Sequence, residues 1–574
     1  MDRVISLWIS EGLVQHGTRS GSDQLDLEEI GADYHRELVA RNLLEPDDTN
    51  NNIWEYSLHD VVRSFAQFMA KEEAFVANKD KADIRNHLPE NKKNCRLSIF
   101  HSKLELSILE NQETVRTLFI NCEIKHGSSL AHFASLRVLD ISSKESDCLV
   151  DSVCGLRHLR YLSFSNTNIS RLPGDIHTMR FLQHIQLDGC RKLEKLPNSI
   201  TKLACLRYLH LYGSNIDVVP RGFGGLTSLR ILHGFPGKMD GDWCTLEELG
   251  ALSHLRRLLV RSLENVPGSS VAKRANISNK KNVEYLGLCC YKHDEEEEEE
   301  DSLEIGLQQQ ERIEAVFDEL CPPPKLETLI IHRYFGRRPP NWLQSPVPAS
   351  TIFKSLRYIT LKHITYCTRL PDGLWRIPCL EQMYIDHAPA IEHVGPEFQI
   401  HDAARGDAGV AFPNLRKLWL LRLSAWKEWD WVEQQSKVIA FPALEYLKLR
   451  DCKLTHLPPG LASDRRQNLR TIYLEELTLL EYVENFPWVV ELHVYSCPEI
   501  KRISGLAKLR TVDISLCGKL KLLEGVPVLT SMELDCEHWE VAGADAMCTR
   551  KRHQAENELP AELPEDFVIS RNFA

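Results

Sequence analysis

Five segments of this chain repeat one apolar pattern at an almost fixed interval. LRVLDI begins at Leu136, LRYLSF at Leu159, LQHIQL at Leu182, LRYLHL at Leu206 and LRILHG at Leu229. Their starts lie 23, 23, 24 and 23 residues apart. Apolar residues at the fourth and sixth positions alternate with polar ones, which predicts a short strand with one face turned inward. A unit this small cannot bury its own apolar side. It must stack on its neighbours, so the chain has to build its core coil by coil. Prolines recur after the second half of the unit, at Pro173, Pro197, Pro220 and Pro458, where they stop the extended direction and turn the chain back.

Leu-x-x-Leu-x-Leu at this spacing is the leucine-rich-repeat signature. Less regular units follow at Leu255, Val283, Leu326, Leu356, Leu380, Leu415, Leu444, Leu469, Val489, Leu509 and Leu529, and opening units stand at Cys95 and Val115. The fold class is therefore α/β: a leucine-rich-repeat solenoid whose curved parallel sheet lines a horseshoe. Cys190, Cys452, Cys497 and Cys517 fall where such a unit places a buried Asn or Cys after its strand, and Cys536 falls one residue early. They read as structural thiols, since no unit supplies zinc-ligand spacing; no metal site is expected.

The net charge of −12 argues against bulk attraction to nucleic acid or an acidic membrane. The average hides an asymmetry. Between Val153 and Phe235 there are 11 Lys and Arg against 4 Asp and Glu, whereas Asp294 to Asp301 is an unbroken acidic run. The acidic, Gln-rich stretch 293–312 reads as a solvated loop inserted between two units. Trp426, Trp429 and Trp431 read as packing of the loop beyond the Leu415 strand. Seventeen cysteines without a CxxC pair, no secretory leader and no long apolar run suggest a cytoplasmic protein without a membrane span. No HExxH, GxSxG or kinase signature set occurs, so binding and not catalysis is the expected work, with no catalytic residue assigned.

The first 78 residues do not repeat. Leu27, Ile30, Tyr34 and Leu38 follow helical spacing behind a candidate cap at Asp26. A polar turn over 47–52, a short strand over 53–57 and a second helix from about His59 through Val62, Phe65 and Met69 complete a winged-helix pattern. A capping box, Ser57 with Asp60, would open that helix. The segments VISLWISEGLV, LEEIGADYHRELVARNLLEP and YSLHDVVRSFAQFMAKEE resemble the winged-helix subdomain of plant intracellular immune receptors, the nucleotide-binding leucine-rich-repeat class of coiled-coil type. The repeat ending at Pro173 is similar to that class as well. The resemblance divides the chain into a winged-helix domain, 1–78, a repeat domain, 79–535, and a charged tail or terminal cap, 536–574. It also implies that the chain is the carboxyl-terminal part of a receptor.

In that family a Met-His-Asp motif helps to hold ADP, and this chain has Leu58-His59-Asp60. The resemblance implies a nucleotide-sensing role for His59 and Asp60, provided that a nucleotide-binding domain is supplied. The sequence lacks G-x-x-x-x-G-K-[ST], the loop that cradles phosphates, so no ADP or ATP is expected on this chain alone. Candidate partner-binding side chains are the aromatics at the third, fifth and seventh positions of the units. These are Tyr161, His184, Tyr208, His210 and Tyr212 in the basic stretch, and Trp419, Tyr446, Tyr473, His493 and Tyr495 further on. The resemblance implies two partners. The basic repeats would dock the winged-helix and nucleotide-binding parts, within one chain or in trans, and the distal repeats would meet a pathogen effector or a guarded host protein. The competing reading is a stand-alone repeat scaffold or adaptor unrelated to immunity. A DNA role for the winged helix is disfavoured by its acidity.

Overall fold

The computed structural model describes residues 2–15, 26–46, 56–77, 95–100, 103–109, 112–125, 128–237, 244–290, 306–344, 353–371, 373–394, 410–429, 439–462, 467–524, 531–534 and 540–542. They fall into two compact units, one up to Val260 and one from Arg261 onward.

The first unit opens with three helices, α1 (Asp2–Glu11), α2 (Leu27–Ala40) and α3 (Asp60–Met69). Between α2 and α3 the strands Glu45–Pro46 and Tyr56–Ser57 pair antiparallel as the wing. Ile5 and Ile9, one helical turn apart, turn one side of α1 against α2 and form a small core with Val14, flanked by Trp8, Leu27 and Ile30. The helix α3 starts one residue later than its sequence pattern suggests. Its N-cap is His59, whose Nδ1 accepts from the Val61 N–H at 3.3 Å, and not Ser57; Asp60 pairs instead with Arg63 at 3.1 Å. The apolar side of α3 faces outward, with Phe65 63 % and Phe68 72 % exposed, so the apolar spacing there does not mark a core face.

A parallel ladder follows in the same unit. It begins at Ala74–Ala77, ahead of the first unit read from sequence, and continues through Arg96–Ile99, Thr117–Ile120, Val138–Ile141, Tyr161–Ser163, His184–Gln186, Tyr208–His210 and Ile231–Pro236. From Val115 to Leu229, each strand starts two residues after the first residue of its unit, and in every rung the fourth-position apolar residues are in register. Leu139, Leu162, Ile185, Leu209 and Leu232, for example, stack as one fully buried column.

The second unit carries its own ladder, from Tyr285–Cys289 through Thr328–His332, Tyr358–Lys362, Gln382–Asp386, Lys417–Leu421, Tyr446–Arg450, Thr471–Glu475 and Glu491–Tyr495 to Thr511–Ser515 and Ser531–Leu534. Eight of its units turn at the eighth position through a left-handed residue, from Arg333 (φ 54°) to Leu516 (φ 54°). The turn lets the ninth residue sink inward. Cys452, Cys497 and Cys517 are buried there, each with its thiol 3.3 Å from a carbonyl of its own strand end. No described cysteine forms a disulfide, and among the described residues no group of His, Cys, Asp and Glu could hold a metal ion. Cys536 lies outside the described residues.

One expectation changes here. The stretch 293–312 is not a loop throughout: residues 306–312 open the helix α5 (Leu307–Glu319), which packs on α4 (Ser269–Arg274). Gln310, Ile313, Val316 and Phe317 recur at helical spacing and are buried, which outweighs the polarity of its first turn. The acidic run itself lies outside the described residues. Within the tail, Glu540–Ala542 adds a strand to Leu522–Glu524, and the rest lies outside the described residues. Trp426 and Trp429 are buried with ring centroids 5.1 Å apart, as expected of loop packing, whereas Trp431 lies outside the described residues.

Candidate functional site

The second position of each repeat decides the electrostatics of the chain. Its backbone N–H reaches the carbonyl of the same position one rung back, so these residues form a continuous row. In the first unit the row reads Arg116, Arg137, Arg160, Gln183, Arg207, Arg230, Arg256, joined by N–H···O bonds of 2.7 to 2.8 Å. Like charges on adjacent rungs of a parallel sheet, about 4.8 Å apart, repel one another. From Glu327 onward the second unit avoids this, although its opening rungs set Glu284 beside Glu327. There the same position runs Glu327, Arg357, Glu381, Arg416, Glu445, Arg470, again rung by rung. The signs alternate, and Arg357 pairs with Glu381 at 2.9 Å and Arg416 with Glu445 at 2.8 Å. The fold therefore does not require arginine at this position, and the arginine row of the first unit needs a partner from outside the ladder.

That partner is the beginning of α2. Arg207 donates from Nε to Glu28 Oε1 at 2.7 Å and from Nη2 to Asp26 Oδ1 at 2.7 Å. Arg230 Nε lies 3.1 Å from Asp26 Oδ2, and Arg256 pairs with Glu29. Tyr208 donates its hydroxyl to Glu28 at 2.8 Å. Burial alone would raise the Asp26 carboxyl, but its hydrogen bond to Arg207 and the charges of Arg207 and Arg230 hold it down at about 2. Asp26, Arg207 and Arg230 are about one-fifth exposed, so water screens their pairs far less than on an open surface.

Helix α1 covers the neighbouring rungs with its other side. Ser6 and Ser10 are buried, and their small size lets the helix approach the ladder closely. Arg3 reaches Asp140 at 2.8 Å. Beneath lie rings stacked across coils: Tyr161 on His184 at 4.3 Å, His184 on Tyr208 at 5.1 Å and on His210 at 5.4 Å, then His210 against His233 at 5.0 Å. Burial lowers the His184 imidazole well below its ordinary value and brings His210 to about 4.

Tyr161, His184, Tyr208 and Tyr212 are thus buried, and His210 is half-buried. A partner separate from this chain therefore has little access to these rings, whereas the docking of the winged-helix part within one chain is consistent with their contacts. Tyr161, His184, Tyr208 and His210 pack on one another, and Tyr161 and Tyr208 also contact Arg3 of α1 and Glu28 of α2. The sequence could not show this, because an aromatic at the third position looks the same whether or not a helix lies over it.

In the second unit the aromatic row is partly exposed. Trp419, Tyr446, Tyr473 and His493 stack in succession at 5.4, 5.5 and 4.0 Å, with Tyr495 next at 6.4 Å. Trp419 is buried, whereas Tyr446, Tyr473, His493 and Tyr495 are half-buried. Polar groups border them: Lys448 pairs with Glu475 at 3.1 Å, and His493 Nδ1 lies 3.7 Å from Asp513, which also accepts the Tyr495 hydroxyl. Stacked rings framed by paired charges offer rigid area for a protein surface. Sequence reasoning missed Tyr384 at the end of this row. It donates to Asp386 at 2.9 Å, and Asp386 is clamped bidentately by Arg422 at 2.8 Å. It also missed the arginine row and Asp26, Glu28 and Glu29, although the recurring second-position Arg was a readable signal.

His59 and Asp60 sit at the exposed start of α3, with Asp60 turned to Arg63. The geometry brings neither of them together with the aromatic row.

The comparisons with known proteins agree with this organisation. Residues 1–66 match the disease resistance protein winged helix domain, and residues 114–486 match the leucine-rich repeat region. Over 591 residues the chain is 28 % identical to the disease resistance RPP13-like protein 1 of Arabidopsis thaliana, covering 91 % of this chain and 52 % of that protein. It is 28 % identical over 486 residues to the disease resistance protein At3g14460 of Arabidopsis thaliana, covering 80 % of this chain and 32 % of the relative. It is 26 % identical over 524 residues to the disease resistance protein RGA2 of Solanum bulbocastanum, covering 91 % and 47 %. The chain thus spans between about a third and about half of the length of these relatives. No helix among the described residues is long and apolar enough to cross a membrane. The chain belongs to the plant disease resistance proteins, of which it carries the winged-helix domain and the leucine-rich-repeat region.

Proposed function

We propose that this chain is the sensing and restraining part of an intracellular immune receptor. Its first unit holds the winged helix in a resting position, and the partly exposed aromatic row of its second unit recognises a pathogen effector or a guarded host protein. The observation that carries the reading is the match of Asp26, Glu28 and Glu29 to Arg207, Arg230 and Arg256. Charge pairs of this kind hold two elements in register and release them when one side is displaced, which suits a restraint that must open. The exposed apolar side of α3 supports a further contact. Val61, Phe65, Phe68 and Met69 form a face that a nucleotide-binding domain would cover, with His59 beside the diphosphate of its ADP. His59 suits that place, since its Nδ1 is engaged in the cap and its Nε2 remains to donate. Such a domain would be joined to this chain or supplied in trans, and the protein would work in the cytoplasm. The winged-helix match over 1–66 favours this reading over a stand-alone scaffold.

The test is expression in leaf tissue of a receptor that carries this chain as its winged-helix and repeat regions. The receptor should be silent alone. Arg207→Glu with Arg230→Glu should cause cell death without a pathogen, whereas Tyr473→Ala with His493→Ala should stay silent and lose the response to the pathogen. Silence of the arginine variant, at normal protein level, would overturn the restraining role.

A further inference from the structure

We infer that Arg116, Arg137 and Arg160 form a binding site for a small phosphorylated anion carrying at least two negative charges. Gln183 divides the arginine row of the first unit into two triads. The second triad, Arg207, Arg230 and Arg256, meets three carboxylates. Among the described residues the first triad faces a single one, Glu11 at the end of α1, and Glu11 is shared with Arg96, which lies 3.6 Å away and pairs more closely with Glu73 at 3.0 Å. Arg137 donates to the backbone carbonyl of Glu11 at 2.9 Å. Arg116 and Arg160 have no ion pair with a carboxylate among the described residues. By comparison with its twin, the first triad is two negative charges short among the described residues.

Three further features point to an anion at this place. The Glu11 carboxylate does not engage the triad fully, since its Oε1 is buried without a hydrogen bond. Gly12 follows α1 with φ +85°, beside Arg137 and Arg160: a side chain there would stand 3.7 and 3.8 Å from their Nη1 atoms, so glycine leaves the guanidiniums uncovered. Burial, and then the charge of Arg137, lower the affinity of Arg160 for its proton, and the charge of Glu11 offsets only part of this.

The chemistry selects the ligand class. Guanidinium forks bind phosphate oxygens in pairs. Three of them on successive rungs about 4.8 Å apart span a diphosphate or two neighbouring phosphates on a small ring. Arg137 and Arg160 are half-buried and only Arg116 is exposed, so the opening suits a compact ligand better than an acidic helix. The site is separate from the α2 contact, and its failure would leave the proposed restraint untouched.

The probe is inorganic pyrophosphate, titrated calorimetrically into the full chain at low salt and at about 150 mM salt, where exposed charges are screened within about 8 Å. Three proteins are compared: wild type, Arg116→Gln with Arg160→Gln, and Arg416→Gln as a control in the alternating row. Wild type and the control should bind alike, and the double variant at least tenfold more weakly. Absence of binding to wild type, or equal binding by all three, would overturn the assignment. So would capture of a glutamate-rich peptide by these arginines without any response to pyrophosphate. The ligand-free melting temperature guards against misfolding. The double variant should melt at or above wild type, because repulsion is relieved and no carboxylate is lost; a drop of many degrees would mean that the triad is already paired and would contradict the site. Arg160→Lys, which keeps the charge and loses the fork, should weaken pyrophosphate several-fold, and an unchanged affinity would speak against the triad.

Discussion

Asp26 stands at the N-cap position of α2 yet makes no capping hydrogen bond, because Arg207 and Arg230 take its two carboxylate oxygens at 2.7 and 3.1 Å. A residue suited to start a helix is used to fasten that helix to a repeat nearly two hundred positions away. The substitution Asp26→Asn separates the two roles, since Asn caps a helix as well as Asp does. It should therefore leave α2 intact but weaken its seat on the ladder by about 1–3 kcal/mol, the range for a hydrogen bond to a charged group. Limited proteolysis between α2 and the repeats should quicken in proportion. An unchanged cleavage rate would show that Asp26 carries no docking energy.

The buried histidines give the first unit a dependence on mild acid. His210 lies between His184 and His233, with Asp188 Oδ2 4.0 Å from its Nδ1. Burial lowers it from 6.5 to about 4, so the unfolded or undocked chain binds a proton more readily than the native one. Its contribution is complete above pH 6.5 and is lost as the pH falls towards 4, by roughly 3 kcal/mol at most. The stability of wild type should fall across that window, and His210→Gln should flatten the fall. A wild-type profile flat between pH 6.5 and 4 would contradict the burial.

Close contact between α1 and α2 depends on a missing side chain. A Cβ at Gly31 would stand 2.5 Å from Cγ2 of Ile5. Gly31→Ala ought to favour an isolated helix by about 1 kcal/mol, yet here it should destabilise by about 1–3 kcal/mol through overpacking. Ile5→Val, which deletes a different methyl from the same side chain, should not restore stability, whereas Ile5→Ala, which removes Cγ2, should relieve the clash. Thermal melts of the single and double variants distinguish these outcomes.

The alternating row of the second unit should behave differently from the arginine row. Arg416 is more than half exposed, so Arg416→Glu should cost less than about 1 kcal/mol, and the exchanged pair Arg416→Glu with Glu445→Arg should recover most of it. A loss as large as that of reversing Arg207 would mean that the ladder itself, and not an added partner, depends on the sign at this position.

The repeats were legible because burial leaves a periodic mark. Leu162 and Ile185 must face inward wherever such a strand occurs, and the strand starts follow from them. The left-handed turns at the eighth position were not legible: Arg333, His363 and Leu516 carry no glycine signature, and the coil imposes the turn on whatever residue stands there. The aromatic candidates divided for a similar reason. Tyr161 and Tyr473 occupy equivalent strand faces, and only a helix with small Ser6 and Ser10 at the right spacing decides which of them is covered. Helix α3 misled for the opposite reason, because an apolar side signals a partner without saying whether it is present.

The most direct test is hydrogen exchange at the backbone amides of α2 in the full chain. Three proteins suffice: wild type, Arg207→Glu with Arg256→Glu, and that variant with Glu28→Arg and Glu29→Arg added. The charge match between α2 and the arginine row predicts slow exchange in wild type, faster exchange by tenfold or more after reversal, and recovery of most of the protection when both sides are exchanged. Protection of α2 that stays the same in all three would contradict the central claim that these arginines hold the winged helix on the repeats.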